Sequence, residues 1–140
     1  MLFAETVAAL FAAHLIADFT FQPNWLVKAK AETKWGLVLH IAVVLGLSIL
    51  LLGNCSWQML LVIGVSHALL DAIKIFLLPR LPKLVPEPDG VWPFAIDQLA
   101  HMAFIALVGI AWPKLFETGW WVNPTSWGCL LYTSPSPRDS

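Results

Sequence analysis

The chain has 140 residues, 59% of them apolar and 12% charged, with eight tryptophans and a formal net charge of −1. A soluble domain carries about 45–50% apolar and roughly 25% charged residues, so this composition excludes one. The lack of a basic block also excludes nucleic acid as a partner.

The apolar residues gather into four runs of membrane-spanning length, about 17–25 residues each. They are Leu2 to Phe21, Trp35 to Leu52, Trp57 to Leu78 and Pro93 to Trp112. Hydrocarbon cannot satisfy free backbone N–H and C=O groups, so each run must be a helix. The expected fold is therefore all-α: a polytopic, four-helix transmembrane bundle within residues 1–112. The first run carries His14 and Asp18, with Gln22 just after it, and has neither a basic leader nor a small-residue cleavage site. It reads as a retained span, not a signal peptide.

The first connection holds Lys28, Lys30 and Lys34, read as topology determinants, and the second run holds His40. The second connection, Gly53 to Ser56, is short and has no basic residue; the third run holds His67, Asp71 and Lys74. Next comes LPRLPKLVPEPDGVW, with Arg80, Lys83 and four prolines. Prolines break helices, and this stretch reads as a semi-extended loop over the membrane surface, covering the polar residues below it. The fourth run opens at Pro93, a residue suited to a first helical position, and holds Asp97, Gln98 and His101. The basic residues place the first and third connections in the cytoplasm and both termini outside; Lys114 alone disagrees. Trp25, Trp35, Trp57, Trp92 and Trp112 stand at the span ends as an interfacial belt.

Residues 113–128 form a C-terminal segment, and the rest reads differently. Cys129 to Asp139, CLLYTSPSPRD, matches a transposase sequencing adapter translated in frame, so residues 129–140 are set aside and the natural chain is expected to continue beyond Gly128. Cys55 is then the one remaining cysteine. It is read as a small buried or interfacial residue without a disulfide partner.

The polar residues inside the spans carry the functional reading. Each ionisable group near a span centre costs about 2.5–3.5 kcal/mol, so three aspartates and a lysine facing lipid would cost roughly 10 kcal/mol. They must face one another. His14 with Asp18, His67 with Asp71, and Asp97 with His101 are each four residues apart, which puts each pair on one helix face. The first and third spans carry these groups late and the second and fourth early. At 1.5 Å per residue all lie roughly 5–16 Å from the cytoplasmic ends. One polar site in the cytoplasmic half of the bundle is expected.

With neutral histidines, Asp18, Asp71, Asp97 and Lys74 leave a charge of −2, which one divalent cation cancels. Imidazole and carboxylate together suit zinc, manganese or iron. The ligand candidates are His14, Asp18, His67, Asp71, Asp97 and His101, with His40 weaker because it stands alone on its helix. Gln22 and Gln98 serve as hydrogen-bond partners and Lys74 as a charge partner. No residue is assigned a catalytic role. The resulting reading is a metal-dependent membrane hydrolase of a lipid-linked or other interfacial substrate, with membrane lipids as partners and a homo-oligomer left open. Two others stay beside it: an intramembrane proton or metal-ion path, and a purely structural polar network.

HLIADFTFQPNWLVKAK (His14 to Lys30), KWGLVLH (Lys34 to His40), SHALLDAIK (Ser66 to Lys74) and FAIDQLAH (Phe94 to His101) together resemble the domain of unknown function 3307 family of bacterial membrane proteins. The resemblance implies the fold and a location in the bacterial cytoplasmic membrane, and brings no activity with it. The shared H-x-x-x-D of the first and third spans also hints at two hairpins in parallel repeat.

Overall fold

A computed structural model describes residues 2–87 and 90–124. Helix α1, Leu2–Leu15, runs on through a π turn at Ile16–Thr20, and a short helix α2 covers Asn24–Glu32. Helix α3 is Lys34–Leu52; α4, Trp57–Ala72, continues through a second π turn, Ile73–Leu77, and a 3₁₀ turn, Leu78–Arg80; α5 is Val91–Ala111. No strand occurs among the described residues. Four helical stretches, Phe3–Thr20, Lys34–Leu52, Trp57–Arg80 and Val91–Ala111, are long and apolar enough to cross a membrane. Their limits agree with the four apolar runs to within about two residues. One detail differs: α5 starts at Val91, so Pro93 is its third residue. A first-turn N–H has no intrahelical acceptor, and proline costs nothing there either.

The four long helices form a closed bundle in which α1 packs against α3 and α5, and α4 packs against the same two. Its burial pattern is inverted relative to a soluble bundle. Thr6, His14, His40, Ser48, His67, Asp71 and His101 are buried, whereas Leu39, Leu61, Val65, Leu69, Ile96, Leu99 and Ile110 are exposed. On α3 the buried residues are Gly36, His40, Val44, Ser48 and Leu52, and on α4 Met59, Ile63, His67 and Asp71. Both stripes have a strict four-residue period, the spacing of ridges on a helix face. The outer surface is as apolar as the inner one, so it is small and polar residues, not hydrophobicity, that distinguish the inward face.

The two ends of the bundle are closed differently. At one end the start of α1 meets the C-terminal segment: the Thr6 hydroxyl donates to the Pro113 carbonyl (3.1 Å) and accepts from the Phe116 N–H (3.3 Å). Leu115 and Trp120 are buried there. The Trp120 N–H donates to the carbonyl of Gly53, which ends α3 in the left-handed conformation at φ 66°, a region that favours glycine. Cys55 departs from expectation, because it is disulfide-bonded. Residues 129–140, which hold the chain's other cysteine and the adapter match, lie outside the described residues. Trp25, Trp35, Trp57 and Trp92 are exposed as an interfacial belt requires, whereas Trp112 is half-buried against the core.

At the other end α2 folds back against α3. Thr33 joins the two helices: its hydroxyl donates to the Ala29 carbonyl (2.9 Å) and accepts from the Gly36 N–H (3.1 Å), capping α3. The approach is close enough that a Cβ at Gly36 would overlap the backbone of Ala29 and Lys30. The chain thus uses its first connection as a packed element, with Leu26 and Lys30 buried.

Candidate functional site

Each long helix delivers its polar residues to the level of α2. Two of them do so at a widened turn. The Phe21 N–H reaches the Ile16 carbonyl, and the Leu78 N–H the Ile73 carbonyl, both bonds spanning five residues. Such π turns insert an extra residue into a helix and concentrate at functional sites. The first contains Asp18, and the second contains Lys74 and follows directly on the turn that carries Asp71.

The side chains meet in one cluster. His40 Nε2, with the ring fully buried, lies 3.1 Å from Asp18 Oδ1, 3.1 Å from His67 Nε2 and 3.5 Å from Asp71 Oδ2. His67 Nε2 is 3.7 Å from Asp18 Oδ1 and 3.6 Å from Asp71 Oδ2. His14 Nε2 is 3.6 Å from Asp18 Oδ2 and 3.1 Å from Gln98 Oε1. His101 Nδ1 donates to the Asp97 carbonyl at 2.8 Å, and its Nε2 is 3.7 Å from Asp71 Oδ1. The imidazoles pack directly on one another, with ring centroids 4.8 Å apart for His14 and His101 and 4.4 Å for His67 and His101.

All ten residues singled out in the sequence are thus in the cluster or bonded to it. Gln22 accepts from Lys30, and Gln98 joins His14 to Asp97. Lys74 pairs with Asp97 at 3.1 Å, as a charge partner should. His40 is central, not peripheral, because it belongs to the Gly36–His40–Val44–Ser48 stripe.

Lys30 is the residue that sequence reasoning missed. Read as a topology determinant, it is buried instead, with Nζ 2.9 Å from Asp71 Oδ2 and 2.9 Å from Gln22 Oε1. Gln22, Leu26 and Lys30 recur at four-residue intervals, and that period is the signal that could have found it. Its presence revises the charge: three carboxylates against two ammonium groups leave −1 with neutral histidines, not −2. Asp18 is the carboxylate without a lysine; its charged-group neighbours are His14, His40 and His67. In the other half of the bundle Thr6 is buried and Glu5 is exposed.

Three groupings bring potential ligand atoms within 4.8 Å of one another: His14, His67 and His101; Asp18, His40 and His67; Asp71, Asp97 and His101. They share His67 and His101, so the cluster is one continuous donor set. His14 Nδ1, His40 Nδ1 and His101 Nε2 are buried without a hydrogen-bond partner. Beside the first grouping is a cavity of about 20 Å³ lined by all three histidines with Ser48 and Ser66, space for one water-sized occupant. Two of these nitrogens, His14 Nδ1 and His101 Nε2, belong to residues that line this space of atomic size, and such an arrangement fits a metal ion.

Together these features define a class: a four-helix protein of membrane-spanning dimensions with a buried His/Asp/Lys cluster between its helices. Residues 6–125 match the family described as protein of unknown function (DUF3307), and the chain belongs to that family, as its four motifs implied. No curated protein and no solved structure matches it.

Proposed function

We propose that the chain is a multi-pass protein of the bacterial cytoplasmic membrane whose cluster holds zinc, manganese or iron and hydrolyses an ester or phosphoester of a membrane-borne substrate. The observation that carries this reading is the convergence of three buried imidazoles, His14, His67 and His101, within 4.8 Å beside a cavity that all three line. Three protein ligands are the usual complement of a catalytic zinc site, which leaves a position open for water. The outward apolar faces of the four helices support the membrane. The basic residues that stay exposed in the first and third connections, Lys28, Lys34, Arg80 and Lys83, favour the cytoplasm for that end and the outside for the termini.

The ion would act as a Lewis acid and lower the pKa of a water towards about 7. The protein's own groups do the rest. His14, His67 and His101 would hold the ion, with Asp71 through its carboxylate and Asp97 through its main-chain carbonyl orienting the imidazoles, as polar partners of ligating histidines do. Asp18, 3.6 Å from His14 and 3.7 Å from His67 and without a lysine, is placed to accept the proton of the attacking water. The water oxygen bonds to the ester carbon or phosphorus, the ester C–O or P–O bond breaks, and the proton leaves with the alcohol. Lys30 pairs with Asp71 and Lys74 with Asp97, so each remaining carboxylate has a cationic partner.

The test is elemental analysis of the purified protein beside a His67→Ala/Asp71→Ala double variant. Near-stoichiometric metal in the first and its loss from a still-folded second support the reading. Absence of metal from both, after supplementation with zinc, manganese and iron, overturns it and leaves a structural polar network. Bound metal with ion flux into proteoliposomes and no turnover of lipid esters would instead identify an ion path.

A further inference from the structure

A second cavity, of about 580 Å³, opens between the end of α4 and the start of α5. Its size falls within the roughly 300–1,000 Å³ range of small-molecule sites. Most of its wall is apolar, including Ile73, Leu84, Ile96 and Ala100, and its charged groups among the described residues are Lys74, Asp97 and Glu87. The prolines after α4 keep this stretch from continuing the helix, and they set Leu84, Val85 and Pro86 as the far wall.

We infer that this cavity seats a membrane phospholipid, with its acyl chain along the apolar wall and its phosphate on Lys74, and that such lipids are the substrate class of the site. This deepens the proposed function and rests on it for the chain's place in a membrane. Four observations converge. Ile96 is 64% exposed and Trp92 79% exposed, and both line the cavity, so its wall is continuous with the outward apolar face of α5 and a chain can enter sideways from the bilayer. The Lys74 ammonium donates to Asp97 and lies 5.5 Å from the Phe94 ring centroid, and its side chain is 32% exposed, so of its three N–H donors some are left for a phosphate. Asp97 lines the cavity and also belongs to the grouping with Asp71 and His101, so a phosphate on Lys74 is one carboxylate away from the metal ligands. Finally, the cluster's charge of −1 becomes +1 with a divalent ion, which suits an anionic headgroup. Glu87 on the loop wall repels a second anionic group and limits the head to a single phosphate.

The experiment is native mass spectrometry of the delipidated full chain in detergent, titrated with phosphatidylglycerol or with diacylglycerol of the same acyl chains. Metal content is measured on the same samples. One bound phosphatidylglycerol is expected, favoured at least tenfold over diacylglycerol. Lys74→Gln should abolish that preference. Ala100→Phe, which fills the cavity, should weaken binding at least tenfold with metal content unchanged. Ile96→Trp alters an exposed position of the same wall and provides the readout if Ala100→Phe does not fold. Equal affinity for the two lipids, or wild-type binding by a folded cavity variant, overturns the lipid site even where metal is present. Absence of metal beside intact phospholipid binding overturns the metal reading, and with it the substrate role, while the lipid site stands.

Discussion

Replacing Lys30 with methionine keeps the aliphatic stem and removes the ammonium that lies 2.9 Å from Asp71 Oδ2. Both partners are deeply buried, with side chains 10% and 5% exposed, so the carboxylate left behind cannot be rehydrated. Removing one member of a buried pair costs about 3–5 kcal/mol. At a few degrees of melting temperature per kcal/mol for a chain of this size, the loss is roughly 10–20 °C. The cluster's charge falls to −2 with neutral histidines, and a divalent cation can replace what the ammonium supplied. An ion present at 100 times its dissociation constant adds about 2.7 kcal/mol, which recovers most of the deficit. The assay is thermal unfolding in detergent micelles, with chelator and with added zinc, for wild type and variant. We expect a large loss in chelator, substantial recovery with metal, and a greater metal effect in the variant than in wild type. A variant melting within a few degrees of wild type in chelator would refute the buried-pair reasoning. A loss that no divalent metal repairs would refute the idea that lysine and metal serve the same carboxylate. Lys74→Met provides the scale: its pair with Asp97 is about a third exposed on the lysine side, so screening should hold its cost to roughly 1 kcal/mol.

Two further outcomes test the architecture around the cluster. Gly36→Ala introduces a Cβ where the backbone of Ala29 and Lys30 lies, forcing α2 off α3 and Lys30 off Asp71. A cost of about 1–3 kcal/mol, with the same metal-dependent recovery of melting temperature as Lys30→Met, is expected; wild-type melting in chelator would show that α2 does not set the position of Lys30. Thr6→Val deletes a hydroxyl bonded to Pro113 and Phe116 at the other end of the bundle, which leaves a partly buried backbone N–H without its acceptor. About 1–3 kcal/mol and faster limited proteolysis within residues 113–124 are expected, with metal content unchanged; a change in metal content would mean that the two ends are coupled.

Much of this was legible along the chain. Hydrocarbon-length runs of apolar residues can form little but helices, so four of them already specified the spans. Where the polar groups meet followed from counting residues: late in the first and third spans, early in the second and fourth, at a fixed rise per residue. The pairs His14 with Asp18, His67 with Asp71, and Asp97 with His101 needed only the four-residue spacing to be placed on common faces. His40 was undervalued because a single histidine has no local partner to pair with. The Gly36–His40–Val44–Ser48–Leu52 period carried the missing information in small and polar residues.

Lys30 marks the boundary between the two kinds of knowledge. Three lysines in a connection between apolar runs are adequately explained as topology determinants, and no local rule says that one of them folds back into the bundle. That depends on α2 lying against α3, which in turn depends on Gly36 lacking a side chain and on Thr33 bonding both helices. The lateral pairing of charges, Lys30 with Asp71 and Lys74 with Asp97, joins residues more than twenty positions apart on different elements. That each apolar run is a helix, and how far along it each polar group sits, are properties of one segment, and the sequence by itself determined them. How far each helix rotates about its axis, and which neighbour it meets, is set by packing between segments whose outer faces are as apolar as their inner ones; only the tertiary structure decided the partners.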